Sequence, residues 1–311
     1  MNVVAERKFG VLLGYCAIVL RNVLTLVLIP FIIHHVGVSQ YGLYSLVASL
    51  AGYLIILELG LANTTVRYLS KFKATDDVVE QSRFLGIILS IYAVITVVVT
   101  LVGLWLWQQI PQLFDQSLQA DEIDLLQQCF IILLLNIVIT LMSNSFTGVI
   151  SAHERFTFQK SIEIIAFLLR CLAVMLALDA GFDILAIVVI DTAISLFHAV
   201  VRISYVWLKL KIGVVFHLPD KETLREIFLY TFFIALNVIV NQINWRVDNF
   251  IIASFTNSQA IGIFNIGNQL IFSFIAFASA VSNIFAPKLF KMVTLKASMS
   301  ALTDELIHIG R

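Results

Sequence analysis

The sequence predicts an all-α integral membrane protein with about eight transmembrane helices and with both termini on the cytoplasmic side. Three observations predict this fold class: an apolar composition, apolar runs long enough to cross a bilayer, and basic residues that alternate between successive loops. Apolar residues make up 60% of the 311 positions and charged residues 13%, and the mean hydropathy is +0.96. A water-soluble domain does not tolerate this composition, so lipid is the expected solvent.

Eight apolar runs are long enough to span a hydrocarbon core, which takes roughly 20 residues in a helix. None has the ten-residue alternation of barrel strands, and lipid leaves backbone groups no water to bond, so helices are predicted. In chain order the predicted spans are Phe9 to Ile33, Leu43 to Leu61, Phe84 to Trp107, Leu125 to Ile150, Ser161 to Leu178, Asp183 to Leu208, Ile227 to Ser254 and Ile261 to Phe285.

The orientation follows from the basic residues, which are retained on the cytoplasmic side during insertion. Seventeen of the twenty lysines and arginines fall before the first span or at the breaks that follow the second, fourth, sixth and eighth spans, with Arg202 in the last turns of the sixth span. The other breaks, around His35, Gln112, Ala180 and Thr256, contain none. This alternation supports the number of spans as well as the cytoplasmic location of both termini.

A short internal repeat predicts two lobes. Ser39 to Tyr44 at the start of the second span has a counterpart in Ser258 to Phe264 at the start of the eighth, which pairs Gly42 with Gly262. The shift is an even number of spans, so both halves would have the same orientation. The predicted domains are a six-helix N-terminal lobe (1–208), a cytoplasmic inter-lobe linker (209–225) and a partial C-terminal lobe of two helices plus a cytoplasmic tail (226–311). A full second lobe would need four more spans, so a truncated chain is expected.

Besides Arg202 near the end of the sixth span, three arginines lie inside predicted spans: Arg21, Arg170 and Arg246. A buried arginine costs roughly 2.5 to 3.5 kcal/mol on insertion scales, so it faces protein or a watery cavity and has a partner. An anionic ligand is one candidate partner, and all three are predicted as cavity-lining, substrate-binding residues. Internal ion pairs are the alternative: Arg21 with Glu58, Arg170 with Asp191, and Arg246 with Asp248 or another helix.

The carboxylates Glu58, Asp191 and Asp248 lie within spans and are candidate sites for proton or sodium coupling. Pairing with the arginines competes with that interpretation. The sequence predicts no metal site, no catalytic residue and no cofactor beyond a coupling H⁺ or Na⁺.

Polar residues form stripes on two spans. Asn237, Asn241, Asn244 and Asp248 are spaced four, three and four along the seventh span, which places them on one helix face. We expect this stripe to line a substrate cavity, with interhelical hydrogen bonding as the alternative. A second stripe, from Asn136 to Ser151 on the fourth span, is predicted to serve packing.

Several segments then carry a resemblance to a known family: Tyr41-Gly42-Leu43-Tyr44-Ser45-Leu46, Glu58-Leu59-Gly60-Leu61-Ala62-Asn63-Thr64-Thr65-Val66-Arg67-Tyr68, Val247-Asp248-Asn249-Phe250-Ile251-Ile252 and Ile261-Gly262-Ile263-Phe264-Asn265. They resemble the polysaccharide biosynthesis membrane protein family, whose best-known members are O-antigen and capsule repeat-unit flippases. That family belongs to the multidrug/oligosaccharidyl-lipid/polysaccharide exporter superfamily. Its members usually have a complete second lobe, whereas this chain ends early.

The resemblance implies translocation of an undecaprenyl-pyrophosphate-linked oligosaccharide across the cytoplasmic membrane of a bacterial or archaeal cell by alternating access, as in O-antigen and lipopolysaccharide export. It also implies lipid-linked oligosaccharide and membrane lipids as partners, with a polysaccharide polymerase and a chain-length regulator as further candidates. The chain has no glycine-rich phosphate-binding loop, consistent with transport without ATP. Its formal net charge of zero gives no reason to expect a nucleic acid partner.

Three other functions stay open. One is an ion-coupled multidrug antiporter of the same superfamily, which the intramembrane arginines disfavour because they suit an anionic cargo. Another is an inactive truncated remnant. A membrane-embedded enzyme is disfavoured because the predicted outward loops are short and contain no basic residue, so the protein is predicted to be a transporter and not an enzyme.

Overall fold

The computed structural model describes residues 3–58, 60–74, 77–216 and 221–294, together with 299, 302–303 and 307. Within these residues every regular element is helical and no strand forms. In chain order the helices are α1 (Val3–Ile55), α2 (Leu61–Ala74), α3 (Val78–Phe114), α4 (Ala120–Ala152), α5 (Phe156–Asp179), α6 (Ile184–Tyr205), α7 (Lys221–Phe255) and α8 (Ser258–Thr294). A 3-10 turn (Ile56–Glu58) follows α1, and a π-helical turn (Val206–Leu210) follows α6.

Seven helical stretches of the described residues are long and apolar enough to cross a membrane. They are Leu13–Lys73, Val78–Phe114, Ala120–Ala152, Phe156–Asp179, Ile184–Leu210, Ile227–Phe255 and Ser258–Ala276. The first stretch contains 61 residues and covers the first two predicted spans. The predicted all-α membrane class is therefore confirmed, whereas the number of eight crossings stays a prediction.

α1 is interrupted at Gly37, where φ is 81° and ψ is 166°. A residue with a side chain would be strained at this φ, so glycine allows the chain to bend here. Just before the bend, Nε2 of His35 lies 3.1 Å from Oδ1 of Asp179 at the C-terminus of α5. The bend therefore lies at the end of the bundle where α5 finishes.

Hydrogen bonds define both ends of the bundle. We call one end the Glu122 end. There Ser39 donates to Glu122 Oε1 at 2.7 Å and Ser258 donates to the same oxygen at 2.5 Å. These bonds join α1, α4 and α8. At the other, the Lys73 end, Nζ of Lys73 donates to the carbonyl of Ala152 at 3.4 Å. α4 runs from the first end to the second, and the part of the chain after Gly37 does the same.

α1 and α8 cross closely because two glycines meet at the crossing. A methyl group on Gly42 would overlap the carbonyl oxygen of Ser258, and one on Gly262 would overlap the carbonyl oxygen of Val38. Gly42 and Gly262 are the residues that the sequence repeat pairs. The repeat and the domain boundaries stay predictions, and residues 217–220 of the predicted linker, as well as most of the tail after 294, lie outside the described residues.

Apolar side chains occupy both the interior and the outer surface. Leu46, Ile88 and Leu126 are completely buried, whereas Leu101 and Leu172 are more than half exposed. Extended apolar exposure of this kind is expected where lipid rather than water covers the surface.

Candidate substrate cavities

A cavity of about 510 Å³ lies between the first half of α1, α5 and α6, and we call it the basic cavity. It is lined by Gly14, Ala17, Ile18, Leu20, Arg21, Lys160, Glu163, Ile164, Ala166, Phe167, Arg170, Ile194, His198 and Arg202. The α5 and α6 residues recur at spacings of three and four, so each helix presents one face to the cavity.

Four basic side chains, but only one carboxylate, line the basic cavity. Glu163 is already engaged, since Nζ of Lys160 donates to its Oε2 at 2.7 Å. Neither Arg21 nor Arg202 forms an ion pair within the described part of the chain. The guanidinium of Arg21 instead lies 5.5 Å from the ring centroid of Phe167, within range of a cation–π interaction. The cavity therefore presents excess positive charge.

Arg170 is neutralised on the side that faces α6 and α1. Its Nε donates to Asp191 Oδ1 at 2.5 Å and its Nη2 donates to Asp191 Oδ2 at 3.1 Å. Tyr44 completes the group, because Nη2 of Arg170 donates to the Tyr44 hydroxyl at 3.1 Å and that hydroxyl donates to Asp191 Oδ2 at 2.8 Å. The ion pair of Arg170 with Asp191 is thus formed, and Arg170 also lines the basic cavity.

A second cavity, of about 380 Å³, lies between the second half of α1 and helices α7 and α8, and we call it the amide cavity. Its lining residues are Tyr41, Tyr44, Ser45, Ala48, Ser49, Trp245, Asn249, Asn265, Asn268, Gln269 and Phe272. None of these described residues carries a formal charge. The site combines four aromatic rings with four side-chain amides.

Asn249 anchors α7 to its neighbours in the wall of the amide cavity. Its Nδ2 donates to the Ser49 hydroxyl at 2.7 Å, and it exchanges hydrogen bonds with Asn265, whose Nδ2 donates to Asn249 Oδ1 at 2.7 Å. Only 6% of Asn249 is exposed. A buried amide with satisfied partners holds its helix in one register.

Tyr44 links the two cavities. Its ring lines the amide cavity, while its hydroxyl bonds to Arg170, which lines the basic cavity. The group of Tyr44, Asp191 and Arg170, the Arg170 triad, therefore lies between the basic cavity and the amide cavity.

Glu58 occupies a separate polar site at the junction of α1 and α2. Its Oε1 accepts hydrogen bonds from the Tyr92 hydroxyl at 2.8 Å and from Asn144 Nδ2 at 3.1 Å. No described cation lies within ion-pair distance, so the alternative pair of Glu58 with Arg21 is not formed. A carboxylate held by two neutral donors can bind a proton or a small cation.

The predicted stripe on α7 lies apart from both cavities. The side chains of Asn237, Asn241, Asn244 and Asp248 are exposed and absent from the described cavity linings. Asn241 donates to Oδ1 of Asn237 at 2.8 Å within the helix. Arg246 lies in α7, but its side chain is outside the described part of the structure. A binding role for this stripe and for Arg246 stays a prediction.

On α4 the stripe forms helix contacts, as the packing interpretation predicts. Asn136 donates to the Ser195 hydroxyl on α6 at 3.0 Å, and Ser143 bonds within its own helix.

Sequence reasoning did not identify most of the residues that line the cavities. Lys160 and Arg202 counted only as cytoplasmic charges, and His198 received no role. The spacing of four between His198 and Arg202 was the available signal, since it places both on one face. The amides missed in the second cavity are Asn249, Asn265, Asn268 and Gln269, and the first of these directly follows the predicted stripe.

Solved structures share this fold. A MOP superfamily transporter from Pyrococcus furiosus, described as having a binding pocket of reverse polarity that suggests a different function, is 14% identical with a TM-score of 0.61, over 95% of this chain and 72% of that chain. The MATE multidrug transporter DinF-BH is 16% identical with a TM-score of 0.66, over 92% and 64% respectively. An inward-facing MATE family transporter is 14% identical with a TM-score of 0.63, over 86% and 63%.

The apolar helices and the shared fold define the class: a multi-pass α-helical membrane protein with the fold of MOP superfamily transporters. The family follows from the sequence, because residues 8–287 match the model of the polysaccharide biosynthesis protein family. The chain belongs to that family. A search of curated proteins gives no match. The chain spans 61% to 64% of the length of several solved structures that it matches.

Proposed function

We propose that the protein takes part in moving an undecaprenyl-pyrophosphate-linked oligosaccharide across the cytoplasmic membrane by alternating access, and that the basic cavity binds the pyrophosphate. One observation carries the proposal: Arg21 and Arg202, which lie in helical stretches long and apolar enough to cross a membrane, line a cavity without an ion pair among the described residues. Family membership supports polysaccharide biosynthesis as the process.

The physical reason is the cost of an uncompensated charge away from water. An arginine within a span needs a partner, and the guanidinium groups of Arg21 and Arg202 can each bind phosphate oxygens through two parallel N–H donors. Lys160 and His198 add further donors on the same walls. A pyrophosphate carries enough negative charge to engage several of these groups at once.

Glu58 is the ion-coupling residue in this proposal. Asp191 is engaged by Arg170, and Asp248 is exposed on α7, whereas Glu58 accepts hydrogen bonds from Tyr92 and Asn144 and has no ion pair among the described residues. Binding of a proton or sodium ion at Glu58 would alter the contact between α1, α3 and α4.

A multidrug antiporter is the second candidate, since structures of MATE multidrug transporters share the fold. The charge of the basic cavity argues against a cationic drug at this position, because Arg21 and Arg202 would repel it.

The cellular setting follows from the same proposal. We place the chain in a bacterial or archaeal cytoplasmic membrane with both termini in the cytoplasm, where lipid-linked intermediates are assembled. A polysaccharide polymerase and a chain-length regulator would act on the transported product.

The test is binding of farnesyl pyrophosphate to the purified chain in nanodiscs, measured by calorimetry, combined with translocation of a fluorescent lipid-linked saccharide in proteoliposomes. Arg21→Gln and Arg202→Gln should each weaken pyrophosphate binding roughly tenfold to hundredfold, the effect of losing a charged hydrogen bond. Translocation should fall in parallel.

Arg83→Gln is the matched control. Arg83 is exposed and pairs with Glu80 at 2.7 Å, away from the basic cavity, so its replacement should leave binding unchanged. Unaltered affinity in both Arg21→Gln and Arg202→Gln would contradict the proposal.

A further inference from the structure

We propose that the amide cavity is a binding site for an uncharged sugar residue. Rings and amides together form its walls: Tyr41, Tyr44, Trp245 and Phe272 supply aromatic faces, while Asn268 and Gln269 supply amides. A sugar ring has a C–H face that packs on aromatic rings and hydroxyl groups around its edge that exchange hydrogen bonds with amides, each of which is both a donor and an acceptor.

Two of the four amides in the cavity, Asn268 and Gln269, are available to a ligand. Asn249 and Asn265 bond to each other and to Ser49, and so form a fixed wall. The side chains of Asn268 and Gln269 have no hydrogen-bond partner among the described residues, although both line the cavity. Partly buried amides in this situation are matched by water or by a ligand hydroxyl.

The aromatic surface is also placed for ring stacking. The centroids of Trp245 and Phe272 lie 5.1 Å apart with their planes tilted by 52°. Trp245 is 44% exposed, although it lies in the wall of a cavity. A solvent-accessible indole beside amides favours a saccharide over a purely apolar ligand.

The lack of charge on the described lining determines the type of sugar. A uronic acid or other acidic sugar would lose the hydration of its carboxylate without gaining a cation. The guanidinium that bonds to the Tyr44 hydroxyl, on Arg170, is already neutralised by Asp191. The geometry therefore fits a neutral sugar, such as a hexose or an N-acetylhexosamine.

The position of the cavity agrees with a ligand that carries sugar and phosphate together. In a glycan linked to a lipid pyrophosphate, the first sugar is bonded directly to the phosphate, so the two sites must adjoin. The Arg170 triad is shared by the walls of both cavities. The claim that one ligand occupies both cavities rests on the proposed function, whereas recognition of the sugar itself does not.

Fluorescence of Trp245 provides the measurement. The protein has four tryptophans, so Trp105→Phe, Trp107→Phe and Trp207→Phe leave Trp245 as the reporter in the full chain in nanodiscs. N,N′-diacetylchitobiose, which is uncharged, should change its emission saturably, and calorimetry on the unmodified chain should give the same affinity. Asn268→Leu and Gln269→Leu should each weaken binding about threefold to tenfold, the range for a neutral hydrogen bond.

The control is Gln128→Leu, an exposed amide on α4 outside both described linings, which should bind chitobiose normally. Glucuronate should bind far more weakly than the neutral sugar. Equal affinity for glucuronate would overturn the specificity for uncharged sugars. Absence of chitobiose binding while farnesyl pyrophosphate still binds would overturn the sugar site alone, and the reverse result would overturn the proposed function and leave the sugar site standing.

Discussion

Arg170 shows how a membrane interior deals with a charged side chain. The sequence allowed either an anionic ligand or Asp191 as its partner, and the structure contains the pair with an additional bond to Tyr44. The pair could be predicted because a charge in lipid requires compensation. The part played by Tyr44 could not be predicted, because its ring lines the amide cavity while its hydroxyl bonds to Arg170 and Asp191. Only the fold brings α1 beside α5 and α6.

Asp191→Leu should destabilise the protein by about 3 kcal/mol, since it leaves a largely buried guanidinium without its carboxylate. Both side chains of the pair are about one-fifth exposed (21% and 19%). The double variant Arg170→Leu/Asp191→Leu should recover most of that loss, because no unpaired charge remains. Thermal unfolding of the purified variants measures both effects. A double variant less stable than Asp191→Leu would contradict this account of the pair.

Glu58 leads to a prediction about coupling. Glu58→Gln retains a carbonyl oxygen that can accept from Tyr92 and Asn144, so the free energy of unfolding should change by less than about 1 kcal/mol. The variant cannot exchange a proton, and translocation in proteoliposomes should no longer respond to an imposed proton gradient. Asp121→Asn, which neutralises an exposed carboxylate in the first turn of α4 and leaves the Glu58 site intact, is the control that should remain responsive. An unchanged gradient response in Glu58→Gln would remove Glu58 from the coupling mechanism.

At the scale of helices, sequence periodicity predicted which residues share a polar face. It did not predict whether that face lines a cavity or lies on the outer surface. The stripe from Asn237 to Asp248 is on one face of α7, yet that face is exposed, and Trp245 and Asn249 are the α7 residues that line the amide cavity. Consecutive residues on a helix differ in direction by about 100°. The sequence therefore cannot settle the rotation of α7, which depends on contacts such as the bond from Asn249 to Ser49.

The crossing of α1 and α8 predicts a strong effect of very small substitutions. Gly42→Ala and Gly262→Ala should each destabilise the protein by about 1 to 3 kcal/mol, because the added methyl groups overlap backbone carbonyls that cannot rotate away. Gly267→Ala is the control on the same helix, since a methyl group there meets nothing within 4 Å. Thermal unfolding should show the loss at the first two positions only. Equal stability of Gly262→Ala and Gly267→Ala would show that the crossing is loose.

For the whole molecule, composition and charge distribution predicted the membrane class because both are properties summed over the entire chain. The individual cavities could not be predicted, because their walls join residues far apart in sequence, such as Tyr44 with Gln269 and Arg21 with Arg202.

The number of membrane crossings is also a property of the whole molecule. Before Gly37 the chain reaches the end of the bundle near Asp179, and after it Lys73 reaches the opposite end near Ala152.

We therefore expect the 61-residue stretch Leu13–Lys73 to cross the membrane twice and to reverse at Gly37. In a chain without Cys16, Cys129 and Cys171, single cysteines at His34 and Ala180 should react with an impermeant maleimide in intact cells. Cysteines at Asn2 and Lys71 should react only after permeabilisation, because basic residues hold those segments in the cytoplasm. The cysteine-free chain corrects for background labelling. If Asn2 and Lys71 became labelled from opposite sides, the stretch would cross only once, and each later helix would lie in the opposite orientation relative to the N-terminus.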